Sequence, residues 1–196
     1  MKKFGKQKKQ NLSISGFTLV ETLVALSIFS VSVLIVVSLL GNSISNIDYA
    51  KKKMTASYLA EEGIEYIRNL RDTYTLYDPG GPAQGWTNFL TKMAPCDATS
   101  VTTNKCYFDS TNVFSGGTYI TTMPVTACSG TCPYMYESST DGYDYNVAGV
   151  KTDFIREIKI NKISNDEIKL FSTVYWSQQS GQFSMTFTEE LFNWME

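Results

Sequence analysis

The feature that most constrains this chain is an uninterrupted apolar stretch close to its N-terminus. The 24 residues from Phe17 to Leu40 contain a single ionisable side chain, Glu21. An α-helix rises about 1.5 Å per residue, so a helix of this length spans the roughly 30 Å hydrocarbon core of a bilayer. A carboxylate inside such a helix costs on the order of 3 kcal/mol unless it finds a partner. The sequence therefore predicts a membrane-spanning helix with one acidic side chain that requires a partner.

The residues before this stretch are basic. Residues 1–16 carry five lysines and no acidic side chain, and the apolar run begins only after them. They lack the apolar core and the small-residue cleavage site of a secretory signal peptide. Lysines hold the flanking side of a membrane span in the cytoplasm. We therefore expect a single-pass protein of the cytoplasmic (inner) membrane, with its N-terminus inside and the rest of the chain outside.

The junction of the two segments reads Gly16-Phe-Thr-Leu-Val-Glu-Thr-Leu-Val-Ala-Leu. A short basic leader, a glycine, an aromatic residue and Thr-Leu-Val-Glu before a long apolar helix resemble the type IV prepilin family. That family includes type IV pilins, minor pilins and the pseudopilins of type II secretion. The resemblance covers about the first 45 residues.

The resemblance implies a specific processing and assembly chemistry. A prepilin peptidase/N-methyltransferase would cut after Gly16 and methylate the new amino group of Phe17. The Glu21 carboxylate would pair with the Phe17 ammonium of a neighbouring pilin or pseudopilin subunit, which offsets the desolvation of both charges and sets the register of a filament. The head would then stand in an extracellular or periplasmic filament. The alternative, a plain signal anchor with a stray glutamate, predicts no cleavage at Gly16.

Composition argues against two other classes of function. The leader supplies five of the 17 basic residues and none of the 19 acidic ones, so the rest of the chain has a net charge of −7. Nucleic acid is therefore an improbable partner.

The chain has no histidine, which removes the commonest general base and metal ligand. The adjacent acids Glu189 and Glu190 lie in a predicted strand and should point to opposite faces. We expect no enzymatic activity and no cofactor, and a membrane-anchored exported enzyme is the disfavoured alternative.

Four cysteines lie in the region predicted to be outside the membrane: Cys96, Cys106, Cys128 and Cys132. An even number of cysteines in an exported region indicates two disulfides. The sequence allows three pairings, and we favour Cys96–Cys106 with Cys128–Cys132 because each closes a short loop. A zinc site at Cys128 and Cys132 is disfavoured because their spacing is not the usual one and the compartment is oxidising.

Periodicity divides the chain into five segments. We predict a leader at residues 1–16, a membrane helix at 17–40 and an amphipathic continuation of that helix at 41–71. A variable disulfide-containing insert follows at 72–151, and an antiparallel β-meander at 152–196. The helix should run from about Thr18 to Leu70, although Gly41-Asn42 could break it in two. The apolar positions at intervals of mostly three or four predict one buried helix face: Ile44, Ile47, Ala50, Met54, Ala56, Leu59, Ala60, Gly63, Ile67 and Leu70.

The helical region ends at Asp78-Pro-Gly-Gly-Pro82, because two prolines and two glycines cannot continue a helix. We predict a short helix over Trp86–Met93 and one or two strands over Val113–Met123. Asp141, Asp144 and Asn146 offer oxygen side chains that calcium prefers, but their spacing is not that of an EF-hand, so a solvated turn is favoured over a metal site.

The C-terminal region alternates apolar and polar residues in three runs, which predicts three antiparallel strands over Thr152–Ile163, Ile168–Trp176 and Gln182–Phe192. Arg156 and Phe171 interrupt the alternation. The predicted fold class is α+β, with a long N-terminal helix packed against a C-terminal antiparallel sheet as in pilins. The expected function is a structural subunit of a membrane-rooted filament. We favour a minor pilin over a type II secretion pseudopilin, and an adhesive tip subunit is a further possibility.

Overall fold

The computed structural model describes residues 16–99, 104–109, 124–139, 142–178 and 181–193. It confirms the predicted α+β class: a long N-terminal helix packs against a C-terminal antiparallel sheet. The chain divides into two compact units, Met1–Ile47 and Asp48–Glu196. We call the second unit the head.

Helix α1 spans Leu19–Tyr77 without interruption at Gly41-Asn42, so the alternative of two separate helices is wrong. It ends at Tyr77, several residues later than predicted, immediately before the Asp78-Pro-Gly-Gly-Pro82 sequence. The side chain of Asp78 accepts a hydrogen bond from the Gly80 amide at 2.8 Å. Gly81 has φ 88°, a left-handed conformation that favours glycine.

The predicted buried face of α1 is wrong for its first four members. Ile44, Ile47 and Met54 are 58–68% exposed, and Ala50 is also exposed. The buried face of the helix begins at Ala56 and continues to Thr75. The step of two residues from Met54 to Ala56 turns the helix by about 200°, so the two sets lie on different faces. Because both sets of residues recur at intervals of three and four, the sequence pattern alone did not reveal this change of helix face.

The insert contains more regular structure than its sequence suggests. Helix α2 spans Pro82–Met93 and confirms the predicted short helix, although it starts four residues earlier, with proline in its first turn. A short 3₁₀ helix follows at Ala94–Cys96. The insert also supplies four short strands among the described residues: β1 (Cys106–Phe108), β2 (Val125–Ala127), β3 (Tyr134–Ser138) and β4 (Gly142–Asp144). The predicted strands over Val113–Met123 lie outside the described residues.

The three predicted C-terminal strands are present as β5 (Val150–Lys162), β6 (Glu167–Gln178) and β7 (Gly181–Phe192). They form an antiparallel meander in which Ile158 pairs with Ser172, and Ser172 pairs with Phe187. One edge of β5 pairs with β6, and its other edge pairs with β3 and then with β1. The described residues therefore form a seven-stranded sheet, and the predicted boundary at residue 151 falls inside β5.

The core lies between the head portion of α1, helix α2 and the inward face of the sheet. Its side chains form two apolar clusters, one around Ile67, Phe89 and Phe108 and one around Leu59, Phe154 and Trp176. Helix α2 packs against the end of α1, and the indole of Trp86 donates to the Asn165 carbonyl at 2.8 Å. These contacts bury the second half of an otherwise exposed helix, as expected for an amphipathic segment.

Arg156 interrupts the alternation because its side chain lies in this core with 1% of its surface exposed. Its Nη1 donates to the Glu62 carboxylate at 3.0 Å and to the Leu59 carbonyl at 3.3 Å, and the guanidinium lies 4.5 Å from the Phe108 ring centroid. Phe171, the other interruption, is half-buried on the outward face. A buried cation is tolerated when it is paired in this way.

Candidate processing and assembly segment

The processing residues precede α1. Gly16, Phe17 and Thr18 lie outside the helix, and the Phe17 side chain is 79% exposed. Nothing lies within 4 Å of the position that a Cβ on Gly16 would occupy. The peptide bond after Gly16 is therefore in an open, non-helical segment, the condition that a peptidase requires of its substrate.

Thr18 caps the start of α1. Its Oγ1 accepts a hydrogen bond from the Glu21 amide at 3.2 Å, and its carbonyl accepts from the Thr22 amide at 3.2 Å. Thr18 and Glu21 have the spacing of a capping box. Sequence reasoning missed this role of Thr18, although a threonine three residues before a glutamate at the head of an apolar run is its recognised signal.

Glu21 lies in the first helical turn and is exposed. The positive end of the helix dipole favours a carboxylate at this position by roughly 0.3–1 kcal/mol. None of the ion pairs within the described ranges includes Glu21. The structure thus places the carboxylate near the N-terminus of the helix and supplies no cation for it from the described part of the chain.

The apolar half of α1 is exposed along its whole length. Every residue from Leu19 to Ile47 is exposed, including bulky side chains such as Leu34 at 69% and Phe29 at 66%. Such a surface is far larger than the apolar patches of monomeric soluble proteins. In the described part of the chain, this helix is long and apolar enough to cross a membrane.

Four hydroxyl groups of the apolar half bond to the helix that carries them. Thr22 and Ser27 each donate to the carbonyl three residues earlier at 2.8 Å, and Ser30 and Ser32 each donate to the carbonyl four residues earlier at 2.8 Å. A hydroxyl satisfied in this way can lie in hydrocarbon without a further partner.

The head contains the two disulfides that short loop closure favoured. Cys96–Cys106 joins the 3₁₀ helix to β1 with a Cα–Cα distance of 4.8 Å, and Cys128–Cys132 closes a loop before β3 with a distance of 4.9 Å. All four cysteines are buried. Because the thiols of Cys128 and Cys132 are joined to each other, the structure has no zinc site at this position.

Two of the calcium candidates form a turn that is stabilised by hydrogen bonds to the backbone. Asp144 is buried, and its Oδ1 accepts from the Asn146 amide at 2.9 Å, while the Asn146 side chain accepts from the Ala148 amide at 3.0 Å. Asp141 lies outside the described residues. Among the residues that the structure describes, no group of three or more acidic, cysteine or histidine side chains is arranged to hold a metal ion.

The adjacent acids of β7 point to opposite faces, as predicted. Glu189 accepts from Arg68 of α1 at 2.7 and 2.9 Å, and Glu190 pairs with Lys169 on the outward face at 3.3 Å. The hydrogen bond to Glu189 is the main cause that raises the pKa of Arg68. These two carboxylates therefore do not form a catalytic pair.

The exposed apolar part of α1, its first-turn carboxylate and the non-helical segment before it lie together within residues 16–47. Residues 12–37 match the family model of the prokaryotic N-terminal methylation motif. The motif implies processing by a prepilin peptidase and assembly with other pilin subunits, and with the apolar helix it fits an inner-membrane anchor and an exported filament. The match covers a small part of the chain, and neither curated proteins nor solved structures gave a match. The motif supports a type IV pilin-like or pseudopilin-like protein.

Proposed function

We propose that this chain is a minor pilin, a structural subunit of a type IV pilus-like filament. The observation that supports this proposal is the combination of the methylation motif at residues 12–37 with the exposed apolar half of α1, which carries one acid in its first turn. Cleavage after Gly16 exposes the amino group of Phe17, and methylation preserves its positive charge. The apolar half of α1 then packs among the helices of neighbouring subunits, and the head remains outside the membrane.

Glu21 is the residue to which we assign the register between subunits. In a helix bundle within hydrocarbon, its carboxylate costs on the order of 3 kcal/mol when unpaired, and the Phe17 ammonium of a neighbour removes most of that cost. The head is assigned no catalytic role, because the sequence contains no histidine and the adjacent acids of β7 are engaged in separate ion pairs. A pseudopilin of a type II secretion system would use the same N-terminal chemistry. A gene neighbourhood with a retraction ATPase supports the pilus, and one with a secretin and exported hydrolases supports the secretion system.

Processing is tested by mass spectrometry of the membrane fraction, with and without the prepilin peptidase. We expect the mature chain to begin at Phe17 and to carry one added methyl group only when the peptidase is present. A chain that keeps its lysine-rich leader and still enters filaments would overturn the proposal.

Assembly is tested with two substitutions of Glu21 and one substitution of a control residue. Glu21→Gln removes the charge but keeps a side chain that a capping box accepts, whereas Glu21→Asp keeps the charge. We expect all variants to be processed, Glu21→Gln to lose incorporation into sheared filaments, and Glu21→Asp to retain part of it. Glu61→Gln removes an exposed acid from the head and serves as the matched control. If Glu21→Gln and Glu61→Gln enter filaments equally well, Glu21 does not set the register.

A further inference from the structure

Strand β7 forms one edge of the sheet. It pairs with β6 along its whole length without a register shift, and in the described part of the chain it pairs with no other strand. Its second edge therefore carries a row of amide and carbonyl groups that have no partner strand among those residues. Such a row is a site at which an extended peptide can add to a sheet as a further strand.

The first half of β7 lacks the features that usually protect an edge strand. Residues 182–188 contain no charged residue and no proline, and the continuous register with β6 leaves no bulge. Aromatic and β-branched residues, which favour strand pairing, make up most of this segment. Among the residues of β7 that point towards α1, only Glu189 is charged, and it lies just beyond the segment and pairs with Arg68. The uncharged half of this edge is therefore open to pairing with another strand.

A groove of about 410 Å³ lies between α1 and β7, beside this edge. On its strand side, Phe187 points towards α1, as does its partner Ser172 in β6, and remains 38% exposed. On its helix side, the lining includes Ile64. Paired residues of neighbouring strands share a face, so a strand added to β7 would direct alternate side chains into this groove. Phe187 and Ile64 favour an apolar side chain there.

The groove has an excess of negative charge. Its charged lining consists of Glu61, Glu65, Glu189 and Arg68. Arg68 pairs with both Glu65 and Glu189, and none of the ion pairs among the described residues includes Glu61. Three carboxylates and one guanidinium leave a net charge of −2, which favours a cationic side chain in the occupant. Two neighbouring ion pairs are each neutral and do not alter this balance: Glu62–Arg156 and Glu190–Lys169.

We propose that β7 binds an extended segment of a partner protein as an additional strand of the sheet. Apolar side chains of this segment lie opposite Met185 and Phe187 on the face towards α1. A lysine or arginine lies opposite Glu189, in the same groove as Glu61 and Glu65. This site goes beyond the role of a filament subunit, and its occupant is not required for packing of the apolar half of α1.

The test uses the full-length mature protein in detergent and the fluorescein-labelled peptide Lys-Thr-Val-Thr-Val-Thr-Val, whose binding is followed by fluorescence anisotropy. Antiparallel pairing can place the lysine of this peptide opposite Glu189 and its valines opposite the inward-pointing residues Phe187, Met185 and Phe183. A comparison peptide has glutamate in place of lysine. Detergent micelles without protein give the background.

Two N-methylated forms of the lysine peptide separate strand addition from contact through side chains alone. Alternate residues of an antiparallel strand donate their N–H groups to the same neighbouring strand. One form is methylated at its odd-numbered residues and the other at its even-numbered residues, so the side chains are unchanged in both. We expect one form to lose binding and the other to keep it, because only one set of N–H groups faces β7.

Two substitutions alter the groove, Phe187→Ala and Glu61→Gln. Their matched controls are Phe192→Ala and Glu137→Gln, which change an exposed phenylalanine of β7 and an exposed acid of β3 that do not line the groove. Near-UV circular dichroism verifies that each variant is folded, and Phe187→Leu, which keeps an apolar side chain, should retain binding. Glu61→Gln should still enter filaments, so failure of this proposal is distinguishable from failure of the proposed function.

We expect saturable binding of the lysine peptide that weakens with salt, and binding of the glutamate peptide that is weaker by about tenfold or more. Both groove variants should lose about fivefold or more in affinity for the lysine peptide, and neither control should. The proposal fails if the lysine peptide does not bind, if the glutamate peptide binds equally well, or if both methylated forms bind equally. It also fails if sedimentation velocity shows self-association that Phe187→Ala abolishes, because a second copy would then be the occupant of this edge.

Discussion

Gly63 allows α1 to approach the sheet closely, and its replacement by alanine tests how tightly these two elements are packed. A Cβ at this position would lie 2.4 Å from Ser172 Oγ, 3.2 Å from Ile158 Cδ1 and 3.3 Å from Arg156 Cδ. Glycine in the interior of a helix costs roughly 0.5–1 kcal/mol relative to alanine. The chain accepts this cost where a methyl group would meet the side chains of β5 and β6.

The expected effect of Gly63→Ala is the difference between two opposing contributions. Overpacking a core costs about 1–3 kcal/mol, and the better helix former returns roughly 0.5–1 kcal/mol. We therefore expect Gly63→Ala to lower the free energy of unfolding by about 0.5–2 kcal/mol. The nearest obstacle, the Ser172 hydroxyl, is buried and has no hydrogen-bond partner in the described part of the chain. Ser172→Ala removes this obstacle together with an unsatisfied polar group, and should stabilise the head by about 1 kcal/mol.

The double variant separates close packing from a general intolerance of substitution. Gly63→Ala/Ser172→Ala keeps the gain in helix propensity and loses the closest contact, so it should be at least as stable as the unmodified head. The coupling between the two substitutions should be about 1 kcal/mol or more. Guanidinium unfolding of the Asp48–Glu196 unit, followed by tryptophan fluorescence, measures all four free energies. If Gly63→Ala is not destabilising, or if Ser172→Ala gives it no relief, the close approach does not explain the glycine.

Three further predictions concern the head. Replacing Cys96 and Cys106 by serine should lower the free energy of unfolding by about 3 kcal/mol, because the unfolded chain gains the entropy of an open loop. Urea unfolding with the other disulfide intact measures this change. A decrease below about 1 kcal/mol would contradict the entropic account. Burial raises the pKa of the Tyr145 hydroxyl above its ordinary value of 10.0. On raising the pH, the unfolded chain therefore loses this proton before the folded chain does, and the free energy of unfolding should fall above about pH 10. Tyr145→Phe should reduce this fall, and an unchanged pH profile of stability in the variant would refute the prediction. Gly85→Ala should destabilise by about 2 kcal/mol or more, because its Cβ would lie 2.2 Å from the Tyr74 carbonyl oxygen, a backbone atom that cannot rotate away; a thermal melt within 1 °C of the unmodified protein would contradict this.

The N-terminal segment could be predicted from sequence because its physics is local. A run of apolar residues, its length and a preceding basic leader each carry meaning without knowledge of the rest of the chain. The signal that ends α1 is also local, since two prolines and two glycines follow Tyr77 within five residues, although the predicted end at Leu70 was too early. The three strands of the meander were found for a similar reason, since each alternates and is joined to the next by a short polar turn.

The strands of the insert could not be predicted because their stability is not local. Strands β1, β2 and β4 have three residues each, too few for alternation to be recognised. They exist because β6 occupies only one edge of β5: β3 and β1 pair with the other edge, and β4 and β2 pair in turn with β3 and β1. Tertiary pairing of this kind overrides weak intrinsic preference.

The buried face of α1 was misassigned because periodicity shows which residues share a helix face but not whether another element covers that face. The exposed set with Ile44 and Met54 and the buried set with Leu59 and Ile67 follow the same intervals. Only the position of the sheet decides which set is covered. Arg156 illustrates the converse case, because a charged residue in a strand indicates an outward face until a partner such as Glu62 is known.

The polar groups of the apolar half of α1 connect its structure to assembly. The hydroxyls of Thr22, Ser27, Ser30 and Ser32 are satisfied by the backbone of their own helix, so they place no demand on a neighbouring molecule. The Glu21 carboxylate has no ion-pair partner in the described ranges. An α-helix can satisfy its hydroxyls internally, but it cannot neutralise a carboxylate without a cation from elsewhere. Neighbouring molecules could pack against the apolar half of α1 in many ways. The unpaired acid therefore favours those packings that bring a cation to the first turn.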